Sequence, residues 1–474
     1  MIIDLDNLTI KKAHESMKNG DFSAVDLTRR YLDVIKEKNP ELNIYLEVFE
    51  TDALKDAEAA DSRFKKGNAV HMTGIPIALK DNILYKGHIA SAASKILENY
   101  IATYDSTVVK KLKEAGAVIV GRTNMDEFAM GVSTENSAYG VTKNPYDTKR
   151  VPGGSSGGST AAVAINGTLV ALGSDTAGSC RQPAAFCGVV GLKPTYGSIS
   201  RNGLIAMGSS LDVIGPITKS VSDAEIVFNI IKGRDPMDST SVSENFYERK
   251  NGSKLRIGVP KEFLNMGVDE RILSNFEESV LKLKSLGYEI KDIKLPYVKY
   301  SVPVYYIISP AEVSSNLARF DGVKYGLHVE GNDLLEDYLK TRRQGFGKEV
   351  KRRIIIGTYV LSSGYYDAYY SKAMAVRDLI SEDYRKAFEE VDLILTPTTT
   401  GPAFKIGEKI NDPIKMYLED IFTGPANIVG LPAISIPSGF IEEEGNKLPI
   451  GIQFVAPLNC EDILFEVGKK FKDE

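Results

Sequence analysis

Between positions 150 and 196 the chain reads RVPGGSSGGSTAAVAINGTLVALGSDTAGSCRQPAAFCGVVGLKPTY, a pattern few architectures can hold. Two hydroxyl-rich glycine turns, GGSSGGS (153–159) and GSDTAGS (173–179), flank an apolar run from 160 to 172 that is interrupted only by Asn166, Gly167 and Thr168. A buried segment of that length returns the chain to the same end of a sheet, so the turns face each other. Glycines let a backbone approach a ligand closely, and successive N–H groups in such a turn converge on an anion or a developing oxyanion. A flexible linker has a similar composition, but linkers are not followed at once by buried alanines and valines and a second glycine turn. The lysine and hydroxyl that complete a G-x-x-x-x-G-K-[ST] phosphate loop are missing. Two serine-bearing turns on buried supports point to nucleophilic chemistry.

A serine hydroxyl is a weak nucleophile until a neighbouring base takes its proton. Neither turn has a histidine beside it, and His14, His71, His88 and His328 lie far apart, in no metal-ligand pattern. The serine–lysine alternative remains. Lys80 follows the apolar segment GIPIAL (74–79), which can deliver it to a dry interior. Only a neutral amine accepts a proton, so its pKa must fall from about 10.4, and burial lowers it. The competing reading is a surface lysine paired with Asp81.

The remaining pattern is α/β. Residues 8–18, 23–38 (Ser23 as N-cap, Gly20 as the stop before it) and 52–66 (closed by Gly67) read as amphipathic helices forming an outer layer. A strand at 74–79, a helix at 106–115, a strand at 117–121 and a loop or short helix at 123–131 follow. Beyond a helix at 221–232 and a polar loop at 233–253 come a strand at 255–260, a helix at 269–286 and a mostly helical region, 302–389. Strands at 393–397, 434–437 and 448–455 precede a final helix, 461–470. This alternation predicts a central mixed β-sheet covered by helices on both faces. The 474 residues are read as one large domain: 1–70 an N-terminal helical layer, 71–220 a core with the catalytic residues, and 221–474 the rest of the sheet with further helices.

A net charge of −5 gives no basic footprint for nucleic acid. Asp4 and Asp6 interrupt the N-terminus before a secretory signal can form, and no uncharged apolar run reaches membrane-spanning length. Three cysteines, Cys180, Cys187 and Cys460, suit a reducing cytoplasm.

The chain resembles the amidase signature family along nearly its whole length. The resemblance is carried by GIPIALKDNI (74–83), VGRTNMDEFAMG (120–131), VPGGSSGGS (151–159), GSDTAGSCRQPAAFCGVVGLKPTYG (173–197) and SSLDVIGP (209–216). It implies a triad of Lys80, Ser155 behind a cis peptide bond from Gly154, and the nucleophile Ser179. Backbone N–H groups of Thr176, Ala177, Gly178 and Ser179 would form the oxyanion hole, with Asp175 and Arg181 as a bracing ion pair. One departure is visible: the family's two glycines before the nucleophile are Ala177 and Gly178 here. We expect a negative φ at Ala177, where alanine costs little. Cys180 is read as a small core filler.

Within the family, the stretches 305–322, 345–370 and 412–437 resemble the A subunits of tRNA-dependent amidotransferases. That likeness implies that Tyr305, Arg353 and Asp420 hold glutamine, Arg353 on the α-carboxylate and Asp420 on the α-ammonium. A helix-surface arginine and a capping aspartate are the alternatives. It also implies a partner B subunit that holds glutamyl-tRNA(Gln), ATP and Mg²⁺, a small C subunit that clamps the pair, and no cofactor or metal in this chain. Aspartyl-tRNA(Asn) is left open as a second acceptor, and so is a stand-alone amidase acting on small or aryl amides.

Overall fold

The computed structural model describes residues 3–242, 255–264, 267–409 and 412–474. Residues 243–253 of the polar loop expected at 233–253 lie outside the described residues. Strands β1 (Tyr45–Val48), β2 (Pro76–Lys80), β3 (Val118–Thr123), β4 (Val170–Asp175), β5 (Val190–Lys193), β6 (Val213–Thr218), β7 (Arg256–Val259), β8 (Glu289–Asp292), β9 (Leu393–Pro397), β10 (Ala433–Glu443) and β11 (Asn446–Val455) form one sheet. Its order is β1-β3-β2-β4-β6-β5-β10-β11-β9-β7-β8. The β3–β2–β4 and β9–β7–β8 groups are parallel and the other pairings antiparallel, so the sheet is mixed.

Successive strand residues point to opposite faces, and here both faces are dry. Leu393 and Leu395 join one hydrophobic core, with Leu27, Tyr31 and Phe465 from flanking helices. Ile394 joins the other, with Ile308, Phe346 and Ile380. Continuous apolar strands such as LILTP follow from this two-sided cover, and each buried aliphatic side chain contributes about 1.5–3 kcal/mol.

The N-terminal helices are Ile10–Asn19, Ala24–Leu42 and Glu50–Lys65. Ser23 caps the second, its hydroxyl accepting from the Asp26 N–H while the Asp26 carboxylate accepts from Ser23 N–H. The glycine turns differ from the expected plain loops. Gly157, Gly158 and Ser159 already open the buried helix Gly157–Ala164, and Gly173, Ser174 and Asp175 complete β4. Only small side chains fit there, because the helix is wedged beneath the sheet. A Cβ on Gly158 would stand 2.3 Å from the Asn124 carbonyl oxygen.

Candidate active site

Lys80 is the last residue of β2, and Ser174 and Asp175 end the adjacent parallel strand β4. The carboxyl ends of neighbouring strands are where open α/β sheets collect polar groups for a ligand. Lys80 is fully buried, and its Nζ lies 2.7 Å from Ser155 Oγ, 2.8 Å from Ser156 Oγ, 2.9 Å from Ser174 Oγ and 3.3 Å from the Ser174 carbonyl. Burial pulls its amine down to about 8, against the opposing pull of nearby Asp126, Asp175 and Asp212. Asp81 does not pair with it. That carboxylate takes Arg122 Nη1 at 2.7 Å and the N–H of Ala93 at 2.8 Å.

The three hydroxyls around the amine are not equivalent. Ser156 Oγ donates to the Ser174 carbonyl at 3.1 Å, and Ser174 Oγ accepts from Asn82 Nδ2 at 3.0 Å. Among the described residues, Ser155 Oγ has no hydrogen-bond partner besides Lys80, so it is the least committed of the three. The Gly154–Ser155 bond is cis. Asp126 holds this turn from below: its carboxylate accepts from the N–H groups of Thr134 (2.8 Å) and Asn136 (3.0 Å), and its own N–H donates to the Ser155 carbonyl at 3.3 Å. Burial raises the Asp126 carboxyl to about 6.

The second turn meets the first where Ser156 N–H donates to the Ser179 carbonyl at 3.1 Å. Asp175 and Arg181, both fully buried, form an ion pair at 2.9 Å. Burial by itself would raise the Asp175 carboxyl, but the guanidinium holds it at about 2. Asp175 Oδ1 also accepts the Gly178 N–H at 2.8 Å, so this donor is not free for an oxyanion, a correction to the four-donor hole expected above. Among the described residues the N–H groups of Thr176, Ala177 and Ser179 have no internal acceptor. Gly178 has φ +141°, and a Cβ there would stand 2.2 Å from Thr423 Oγ1. Ala177 lies outside the positive-φ region, as expected for an alanine at this position. Ser179 is 6% exposed, and among the described residues no hydrogen bond joins its hydroxyl to that of Ser155. Cys180 is fully buried, its thiol pushed up to about 12 by burial, which leaves it an inert core group.

A cavity of about 260 Å³ is lined in part by Val132, Tyr306, Glu349, Arg353 and Tyr417, and not by Lys80, Ser155 or Ser179. Arg353 is 3% exposed, not a helix-surface arginine. Its Nε donates to Glu349 Oε1 at 2.8 Å, and its guanidinium carbon sits 5.3 Å from the Tyr306 ring centroid and 5.9 Å from that of Tyr417. Asp420 accepts from the Tyr306 hydroxyl at 3.3 Å, and burial raises its carboxyl to about 8. Thr423, three residues on, donates from Oγ1 to the Ala177 carbonyl at 2.6 Å, which links this segment to the serine turn.

The family model described as Amidase matches residues 26–464. The chain belongs to the amidase family. Relatives include the A subunit of the glutamyl-tRNA(Gln) amidotransferase of Thermoanaerobacter pseudethanolicus, 53% identical over 99% of this chain and 97% of that one. The crystal structure of the A subunit of the Thermotoga maritima glutamyl-tRNA(Gln) amidotransferase superposes with TM-score 0.78 at 44% identity, covering 100% of this chain and 94% of the other. The structure of 6-aminohexanoate cyclic dimer hydrolase is similar too, with TM-score 0.84 at 26% identity over 99% and 97% of the two chains.

In this amidase fold, Lys80 and Ser155 are in direct contact, and Ser179 lies on the turn bonded to Ser156. Arg353 lines the cavity; Asp420, 5% exposed, does not, and reaches it only through the Tyr306 hydroxyl. Tyr305 is 4% exposed, edge-on to Tyr306 with ring centroids 4.8 Å apart, and does not line the cavity. Sequence reasoning missed Tyr306, Tyr417 and Glu349, and also the lysine-binding Ser156 and Ser174. Both serines sit inside the motifs already singled out. An i, i+4 pairing of Glu349 with Arg353 was readable from helix spacing.

Proposed function

We propose that this chain is the glutaminase subunit of a tRNA-dependent amidotransferase. The observation that carries the chemical half of this reading is the fully buried Lys80 amine 2.7 Å from Ser155 Oγ. An amine held near pKa 8 is neutral often enough at physiological pH to act as a base.

In this mechanism the Ser179 hydroxyl attacks the side-chain carboxamide carbon of glutamine. Its proton passes to Ser155 Oγ as the Ser155 proton passes to Lys80 Nζ, which requires the Ser179 side chain to swing into contact with Ser155. Such contacts are often unformed in a free enzyme. The tetrahedral oxyanion takes hydrogen bonds from the N–H groups of Thr176, Ala177 and Ser179, donors of a kind each worth about 3–4 kcal/mol of barrier. Collapse breaks the C–N bond while Ser155, resupplied by Lys80, protonates the leaving amine, and ammonia departs. Water then attacks the glutamyl ester through the same relay, releasing glutamate and restoring Ser179.

Arg353 would bind the α-carboxylate with the part of its fork that Glu349 leaves open, a task suited to a planar guanidinium. Asp420 would bind the α-ammonium, whose charge favours the ionised carboxylate against burial. Tyr305 would support this pocket from behind Tyr306. The amidotransferase half of the reading rests on the 53% identity, across almost the full length, with the A subunit of a glutamyl-tRNA(Gln) amidotransferase. The B subunit would then hold the charged tRNA, ATP and Mg²⁺ and receive the ammonia, and the small C subunit would keep the pair together, all in the cytoplasm. No helix of the described residues is long and apolar enough to cross a membrane.

The test is ammonia release from glutamine by the full chain, alone and with the B and C subunits, in the presence or absence of glutamyl-tRNA(Gln) or aspartyl-tRNA(Asn). Glutamine-dependent amidation of at least one charged tRNA is expected. Vigorous partner-independent turnover of simple amides, with no amidation, would make the chain a stand-alone amidase instead.

A further inference from the structure

The segment between the two halves of the site contains a second acidic residue that the mechanism does not use. Glu127 follows Asp126 directly, yet the two carboxylates serve different elements. Asp126 accepts from Thr134 and Asn136 and steadies the Ser155 turn. Glu127, 3% exposed, accepts the Gly347 N–H on both oxygens, at 2.8 and 3.1 Å, and accepts the Ser94 hydroxyl on Oε1. Ser94 Oγ also contacts the Gly345 carbonyl at 3.2 Å.

Gly347 is the N-cap of the helix Lys348–Val360, and as a glycine it has no side chain to cap the helix. The first turn of a helix presents unpaired N–H groups and a partial positive charge. Glu127 supplies the missing acceptor from another part of the chain. The fit is close, since a Cβ on Gly347 would stand 2.1 Å from Glu127 Oε2. Phe128 adds an edge-on contact with Phe346 at 5.8 Å between centroids. The anchored helix carries Glu349 in its first turn and Arg353 one turn later, the pair that faces the cavity.

We propose that Glu127 is a positioning residue for glutamine recognition: by capping the helix Lys348–Val360 from outside, it sets where the Arg353 guanidinium stands relative to the Ser155 turn. The acidic pair Asp126–Glu127 thus works as a spacer between the proton-transfer site and the carboxylate-binding site. This inference rests on the glutamine reading given above.

The test compares glutamine with 4-aminobutanamide, which keeps the amine and the carboxamide but lacks the α-carboxylate. Both are assayed with the full chain assembled with its partner subunits. Glu127→Ala is expected to raise the KM for glutamine about tenfold with kcat changed less than about threefold, and to leave kcat/KM for 4-aminobutanamide within about twofold. Glu127→Gln, which can still accept the Gly347 N–H, should recover part of the loss. Arg353→Ala is the control. If Arg353→Ala raises the glutamine KM and Glu127→Ala does not, the positioning role is wrong while the glutamine reading stands. If neither variant affects glutamine, the glutamine reading fails with it. Equal losses on both substrates would mark a general structural role and overturn the proposal. Should Glu127→Ala not fold, Ser94→Ala perturbs the same cap more gently and must show the same selectivity for the carboxylate-bearing substrate.

Discussion

Around Lys80 the polar atoms are turned inward, four oxygens lying within 3.3 Å of one amine that has no exposure to solvent. Around Arg353 the arrangement is the reverse. Among the described residues its guanidinium has one hydrogen bond, to Glu349, and the two side chains line an open cavity. The difference follows from what each region must do. A proton relay needs a fixed dielectric and a shifted pKa, and burial on rigid strand ends provides both. Recognition needs donors left uncommitted until a ligand arrives, on helices whose placement can be tuned by caps and packing. Substitutions in the first region should therefore act on turnover, and those in the second on affinity.

The largest effect is expected at the nucleophile. Ser179→Ala should lower glutamine hydrolysis by about 10⁶-fold, the loss seen when one member of a concerted unit is removed. Ammonia release measured on the assembled protein checks this, and a variant with near-normal activity would remove Ser179 from the mechanism.

Next comes the amine. Lys80→Met keeps the volume and deletes the proton acceptor, so kcat should fall by roughly 10³–10⁴-fold. The wild-type pH profile sharpens the point. Burial lowers the folded-state pKa to about 8, so the neutral, active form is the minority below that pH and the majority above it. kcat for glutamine, which reports the complex in which the α-ammonium keeps Asp420 ionised, should rise with pH, close to tenfold per unit well below pH 8, and level off above it. A profile flat from pH 6 to 9 would mean that this amine does not titrate in the rate-limiting step.

On the recognition side, Arg353→Lys retains the charge but loses the planar fork and the Nε contact with Glu349. KM for glutamine should rise by about 10–100-fold, as for a lost charged hydrogen bond, with kcat nearly unchanged. A fall in kcat at constant KM would place Arg353 with the proton-transfer groups and erase the division drawn between the two regions.

That division also governs what could be read without coordinates. Strands buried on both faces announce themselves as short unbroken apolar runs: β9 falls at Leu393–Pro397, the span expected, and β2 at Pro76–Lys80 against an expected 74–79. β8 (Glu289–Asp292) was not legible, because an edge strand reading EIKD has charge at both ends and little burial. β6 was hidden by Pro216, a residue that argues against a central strand. The ladder to β5 stops at Ile217, one residue short of the proline, whereas the ladder to β4 runs through it and pairs Pro216 with Leu172. At the site, Lys80, Ser155 and Ser179 could be named from motif and chemistry together. The engagement of Ser156 and Ser174 with the lysine could not, because it depends on where neighbouring hydroxyls point once the turns are folded. The choice of Tyr306 over Tyr305 as a cavity wall likewise depends on helix rotation, which the packing of a helix with apolar residues all round does not reveal in advance.

The smallest expected effect concerns the alanine that departs from the family's pair of glycines. If a left-handed backbone were required at 177, alanine would be strained by roughly 1–2 kcal/mol, and Ala177→Gly would relieve that strain. The backbone is not left-handed there; that conformation belongs to Gly178, at φ +141°. Ala177 is 4% exposed and packs in the core that includes Met207, Leu211 and Ile421. Ala177→Gly should therefore lower stability by about 0.5–1 kcal/mol through added freedom of the unfolded chain, and leave glutamine turnover within about twofold. Denaturant unfolding and steady-state kinetics on the same variant decide the matter. A more stable or much faster Ala177→Gly enzyme would show that position 177 carries strain after all, and would place that strain within the rigid half of the site rather than in the adjustable one.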